Sequence, residues 1–204
     1  IVFNFSKKNA YITKIYLLFS STTIFMTAID SLEAAFAKGV LSISDTNYGY
    51  LLSIFGAGII IASIINSIFT KRLAVNHLIG VGTIFTSIGY LVFYSASGFF
   101  SAVPGVFLIG FAVTFANTGY LTFYQNHVPV KIMGRFESLF RVIEASIIVA
   151  VTVVIGLAAE FTSIRPVGLI ASMSFLFLGL LAWKAVTGTK RQAYFKKGVS
   201  SFNS

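Results

Sequence analysis

Apolar residues gather into six long runs, 15–37, 48–69, 78–96, 99–124, 138–159 and 167–186, separated by short polar or turn-forming stretches. A helix needs about 20 mostly apolar residues to cross a hydrocarbon core of about 30 Å, and each run is of that order. The pattern predicts an all-α, polytopic membrane protein with six transmembrane helices. Residues 1–14 read as a linker, 15–186 as the six-helix domain and 187–204 as a basic tail.

Composition agrees with this frame. Of 204 residues, 56% are hydrophobic and 10% charged, with a mean hydropathy of +0.88, which is too apolar for an ordinary soluble domain. The Phe, Tyr and Gly residues spread over the whole length, so a single anchor on a soluble domain does not account for them. The absence of cysteine excludes disulfides, Cys-ligated metals and thiol nucleophiles. His77 and His127 fall in predicted loops, without an H-E-x-x-H, G-x-S-x-G or phosphate-cradling signature, so neither enzymatic activity nor a cofactor is expected.

The net charge of +9 points to nucleic acid only if the basic residues share one soluble face, and they do not. Lys7, Lys8, Lys14, Lys71, Arg72, Lys131, Arg135, Arg141, Lys184, Lys190, Arg191, Lys196 and Lys197 fall on one side of the six-span frame, and only Lys38 and Arg165 on the other. Cytoplasmic loops carry such an excess of Lys and Arg. Both ends of the segment are therefore expected in the cytoplasm, in a multi-pass protein of the plasma membrane with no nucleic-acid partner. The basic tail can add about 1 kcal/mol per residue of attraction to anionic lipid.

The chain begins with Ile rather than Met, which reads as a piece of something longer. A secretory signal competes for the first segment, because Lys7, Lys8 and Lys14 precede an apolar run ending at Ala35-Phe36-Ala37. Asp30 and Glu33 stand against it. The loops expected at 40–47 and 125–137 are the longest and correspond by position if helices one to three and four to six form an inverted 3+3 repeat.

Asp30 is the sharpest chemical signal. A charged Asp at a helix centre costs about 2.5–3.5 kcal/mol of insertion energy, against roughly 0.3–0.6 returned by each Leu, Ile or Phe. Such a residue marks an ion or substrate path. Helical spacing puts Ser20, Thr23, Thr27 and Asp30 on one face, with Glu33 a turn further. Asp30 and Glu33 are the candidate proton carriers; the competing reading, with the helix shifted inward by a turn, places both in the outer headgroups, where they simply hydrate. Thr23 and Thr27, with Thr114, Asn117 and Thr118 of the fourth segment, are the candidate substrate contacts. Gly58, Ala62 and Asn66 make a small-residue packing face on the second. Arg141 and Glu144, three apart, are expected to pair at the inner mouth, where they form a candidate gate with Gly134 and Arg135. The third and sixth segments, without charge at mid-depth, suit lipid-facing positions.

Two stretches carry a family likeness. Asp45-Thr46-Asn47-Tyr48-Gly49-Tyr50-Leu51-Leu52-Ser53-Ile54-Phe55-Gly56-Ala57-Gly58 resembles the entry into the eighth helix of major facilitator superfamily exporters. Gln125, Val128-Pro129 and Gly134-Arg135-Phe136-Glu137-Ser138-Leu139 resemble the loop between the tenth and eleventh helices of drug- and siderophore-efflux members. The turn Thr70-Lys71-Arg72-Leu73-Ala74-Val75-Asn76 keeps only the positive charges of a basic motif that in the family often includes Asp and Gly. The resemblance implies the C-terminal six-helix half of a secondary transporter that exports a small organic compound in exchange for protons. It also implies a missing N-terminal six-helix half as partner. The competing expectation is a six-helix membrane subunit or scaffold that transports nothing.

Overall fold

The computed structural model describes residues 2–69 and 74–188, so Lys71, Arg72 and the basic positions from 190 onward lie outside the described residues. Helices follow one another as α1 (Val2–Lys8), α2 (Ala10–Asp30), α3 (Glu33–Ala35) running into a π-helical turn (Phe36–Val40), α4 (Asp45–Phe69), α5 (Val75–Ser95), α6 (Phe99–His127), α7 (Val130–Phe161) and α8 (Ile164–Thr187). Among the described residues six stretches are long and apolar enough to cross a membrane, the first extending from Ala10 to Val40. The fold is all-helical with six candidate spans, in agreement with the hydrophobic pattern.

Helices extend beyond the hydrophobic runs at several points. The stretch expected as a linker is helical from Val2 to Lys8 and again from Ala10. The expected loop 125–137 shrinks to Val128 and Pro129, because Pro129, at φ −59°, caps α7 and the following residues continue as helix. Gly134 and Arg135 therefore lie inside α7, not in a loop. The connection expected at 40–47 contracts to residues 41–44. The loop lengths behind the 3+3 symmetry are thus not those of the fold.

Small residues set the packing. α4 lies against α6 through Gly58, where a Cβ would come 2.7 Å from the Phe107 carbonyl oxygen, and through Gly110, where it would come 2.2 Å from that of Phe55. Ala62 and Asn66 are buried on the same α4 face, and Asn66 Nδ2 donates to Thr118 Oγ1 at 3.1 Å. The packing face read from Gly58, Ala62 and Asn66 is thus present. α5 and α6 approach as closely: a Cβ on Gly82 would meet the Ala116 backbone at 2.5 Å, and one on Gly105 the Phe93 nitrogen at 2.7 Å. Without water to drive association, such close backbone contact is what holds membrane helices together.

α5 is the inner element of the bundle, packed between α6 and α8 with twelve buried residues. The third segment is thus more deeply packed than its lack of charge suggested, with Val81, Phe85 and Val92 left exposed on one side: its glycines, threonines and serines make it the helix others can approach. α7 takes the outer role, resting on α2 with just Phe136 and Ile155 buried. At one end of the bundle Tyr11 of α2 donates to the Ala185 carbonyl of α8 at 3.1 Å, and Lys14, Lys131 and Lys184 belong to that same end. At the other, Lys38 bridges Asp45 at 2.6 Å and the Arg165 guanidinium lies 5.4 Å from the centre of the Phe36 ring.

Substituting Gly110 by Leu is expected to cost about 1–3 kcal/mol by overpacking, whereas Gly56→Leu, with nothing within 4 Å of its Cβ direction, should cost little. Thermal unfolding of the two purified variants in detergent checks the difference.

Candidate functional site

The same face of α2 meets different neighbours at its two ends. Toward the basic end, a cavity of about 310 Å³ opens between α2, α6 and α7. Ser20, Thr23, Asn117, Glu137, Arg141 and Glu144 give it polar walls, and Tyr16, Phe19, Tyr120 and Tyr124 line it with rings. Phe19 and Tyr120 stack at 3.9 Å with planes 4° apart. Ser20, buried on α2, donates its hydroxyl to Glu144 Oε2 at 3.0 Å, tying α2 to α7. The cavity can take a compound with an aromatic or alkyl body and a few hydrogen-bonding groups.

A second groove of about 370 Å³ between α5 and α6 offers His77 as its polar side chain among Leu78, Phe85, Phe111 and Phe115. Its wall suits acyl chains rather than a polar solute.

Toward the other end, α2 stops at Asp30, two-thirds of the way along the Ala10–Val40 span. Ser31 spends its hydroxyl on the Ala28 carbonyl at 2.6 Å. Helix then resumes with a widened turn in which the Leu41 N–H reaches back to the Phe36 carbonyl at 3.0 Å. Interrupted helices and π-turns within spans are found where the backbone serves a site. Asp30 stays solvent-accessible as a residue, and one carboxylate oxygen accepts a hydrogen bond from the Tyr90 hydroxyl of α5. Glu33 is half-buried just beyond the break, close enough to Asp30 to interact electrostatically, with the Tyr48 hydroxyl at 3.5 Å. Tyr94 donates to the Ile29 carbonyl at 2.8 Å.

Thr23 and Asn117 line the same cavity. Thr27 is half-buried on the α2 face between cavity and break. Thr114 and Thr118 turn inward on their own helix, donating to the carbonyls of Gly110 at 2.9 Å and Thr114 at 2.8 Å; Thr118 also receives Asn66. Arg141 pairs not with Glu144 but with Glu137, at 3.0 Å. Glu four residues before a cation is the favoured helical arrangement, and the pair stays on one helix, so it joins no two elements. Gly134 and Arg135 are exposed on the first turns of α7.

Tyr90 and Tyr94 were not singled out from sequence. An aromatic pair one turn apart in an apolar helix reads as core, and only the tertiary fold shows what their hydroxyls reach.

A family model described as transmembrane secretion effector matches residues 3–196 of the chain. No curated protein and no solved structure matches it.

The two polar contacts of α7 should separate in stability. Ser20→Ala removes a bond between helices and is expected to cost about 1 kcal/mol, while Arg141→Ala breaks an exposed ion pair and should stay within about 0.5 kcal/mol. Equilibrium unfolding in detergent measures both.

Proposed function

We propose, for a chain that belongs to the transmembrane secretion effector family of the major facilitator superfamily, that it forms the C-terminal six-helix half of a proton-coupled transporter exporting a small organic compound by alternating access. Membership makes it a multi-pass membrane protein of a transporter family. The cavity between α2, α6 and α7 carries the finer reading, because it joins polar and aromatic walls on three membrane-length helices.

In this proposal Thr23 and Asn117 contact the substrate, with Thr27 above them, while Thr114 and Thr118 shape α6 from inside. Asp30 and Glu33, at the break in α2, take up and release the coupling protons as water reaches them from one side and then the other. Glu144 holds α7 to α2 through Ser20 and must let go for the cavity to widen. Gly134, Arg135 and Arg141 flank that motion at the entrance. The basic end faces the cytoplasm by charge bias, in the plasma membrane. The partner half would cover α7, whose apolar residues Val142, Val149 and Val154 are exposed, and the substrate would sit between the halves near the midplane, as 3+3 repeat transporters hold theirs.

The chain's lack of cysteine makes labelling clean. In an otherwise cysteine-free full-length protein reconstituted in vesicles, Thr23→Cys and Asn117→Cys are expected to react with a water-soluble thiol reagent applied from one side. Asp30→Asn should lower proton-driven transport about tenfold or more. Unchanged transport in Asp30→Asn would remove that residue from proton coupling, and inert cysteines together with no transport by the unsubstituted protein would leave the bundle a structural subunit.

A further inference from the structure

The interruption in α2 is held from outside, by the helix to which no chemistry had been assigned. Tyr90 and Tyr94 stand one turn apart on α5, and both side chains are buried, at 2% and 0% exposure. The first donates to the Asp30 carboxylate and the second, at 2.8 Å, to the Ile29 carbonyl immediately before it. One phenol thus holds the charged side chain and the other the backbone that ends the helix.

Neither ring is free to swing away. Tyr94 lies flat on Gly168 of α8, where an added Cβ would sit 2.3 Å from the ring, and its other neighbours are Phe36 at 4.9 Å and Phe93 at 5.1 Å. Tyr90 packs against Phe175 of α8 at 6.0 Å. The remaining titratable groups that face Asp30 are Glu33 beyond the break, Tyr48 of α4 and Tyr94 itself. At that end of the bundle Lys38 pairs with Asp45 and Arg165 lies over Phe36. Among the described residues, then, Asp30 is the hydrogen-bond partner of Tyr90, and Asp30 has no Lys or Arg partner. A buried phenol left without an acceptor is costly, so Asp30 cannot turn away unless α5 adjusts as well.

We propose that Tyr90 is a positioning residue for Asp30 and Tyr94 a positioning residue for the end of α2. Together they make the carboxyl and the helix break one unit with α5 and, through Gly168 and Phe175, with α8. The functional part of this inference rests on Asp30 as proton carrier; the positioning itself does not.

The experiment uses the full-length protein in lipid nanodiscs and vesicles. Infrared difference spectra recorded across a pH titration contain the Asp30 carboxyl band, identified by its loss in Asp30→Asn. Tyr90→Phe is expected to move that band to higher wavenumber, as a lost donor does, and to lower proton-driven transport about tenfold. Tyr94→Phe should leave the band in place while slowing transport, and Tyr48→Phe should leave the band unmoved. Should Tyr90→Phe not fold, wild-type protein with ¹³C-labelled tyrosine supplies the same answer: a phenol C–O signal that follows Asp30 titration and disappears in Asp30→Asn. An unmoved carboxyl band in Tyr90→Phe, an equal shift in Tyr94→Phe, or no coupled tyrosine signal overturns the inference. If Asp30→Asn transports normally while the band still shifts with Tyr90→Phe, the transport reading falls and the positioning stands.

Discussion

A bilayer interior offers no water to a stray polar group, and a carboxylate placed there must find its compensation within the protein. The bond from Tyr90 to Asp30 supplies such a partner within the candidate span Ala10–Val40. Three helices meet at it: α5 carries the phenol, α8 presents Gly168 to Tyr94 and Phe175 to Tyr90, and α2 ends at Asp30. Two clusters of buried side chains divide the core accordingly. One surrounds the break, with Ile29, Phe36, Phe93 and Phe175; the other packs the basic end, with Ile15, Tyr16, Phe123, Phe136 and Val186.

Close helix contact makes the central position of α5 affordable. Gly82 and Gly89 on α5, and Gly105, Ala112 and Gly119 on α6, recur every seven residues. The glycines let one backbone rest on the other along the length of the pair. A helix approached so closely has little freedom to rotate, so the phenols it carries point in fixed directions. The cavity lies on the opposite condition: α7 is held to α2 by larger side chains and the Ser20–Glu144 bond, a contact with more room to change.

How much of this was legible in sequence depends on the range of the interaction. The six spans follow from composition in windows of about 20 residues, and the hydrophobic pattern captured them. The α4 packing face was readable because Gly58, Ala62 and Asn66 repeat at helical spacing. The seven-residue repeat of small residues is equally present in the sequence, but it shows its meaning only when α5 and α6 are seen together. Pro129 suggested a long loop, yet a proline can stand just before a helix and cap it, and Phe136 anchors the extra turns of α7 in the core. Thr118 belonged to a polar stripe on α6, but its hydroxyl is spent on its own helix and on Asn66. Arg141 had acids on both sides, and the preference for Glu four residues earlier decided the pair. The partner of Asp30 stands 60 positions along the chain, at a distance no local pattern reports.

The brevity of the connection at Val128 and Pro129 has a mechanical consequence. Tyr124, near the end of α6, donates to the Met133 carbonyl on the first turn of α7 at 2.8 Å, so the corner between the two helices is stapled as well as short. The two helices are therefore joined at this corner rather than along their lengths, and beyond it α7 rests on α2.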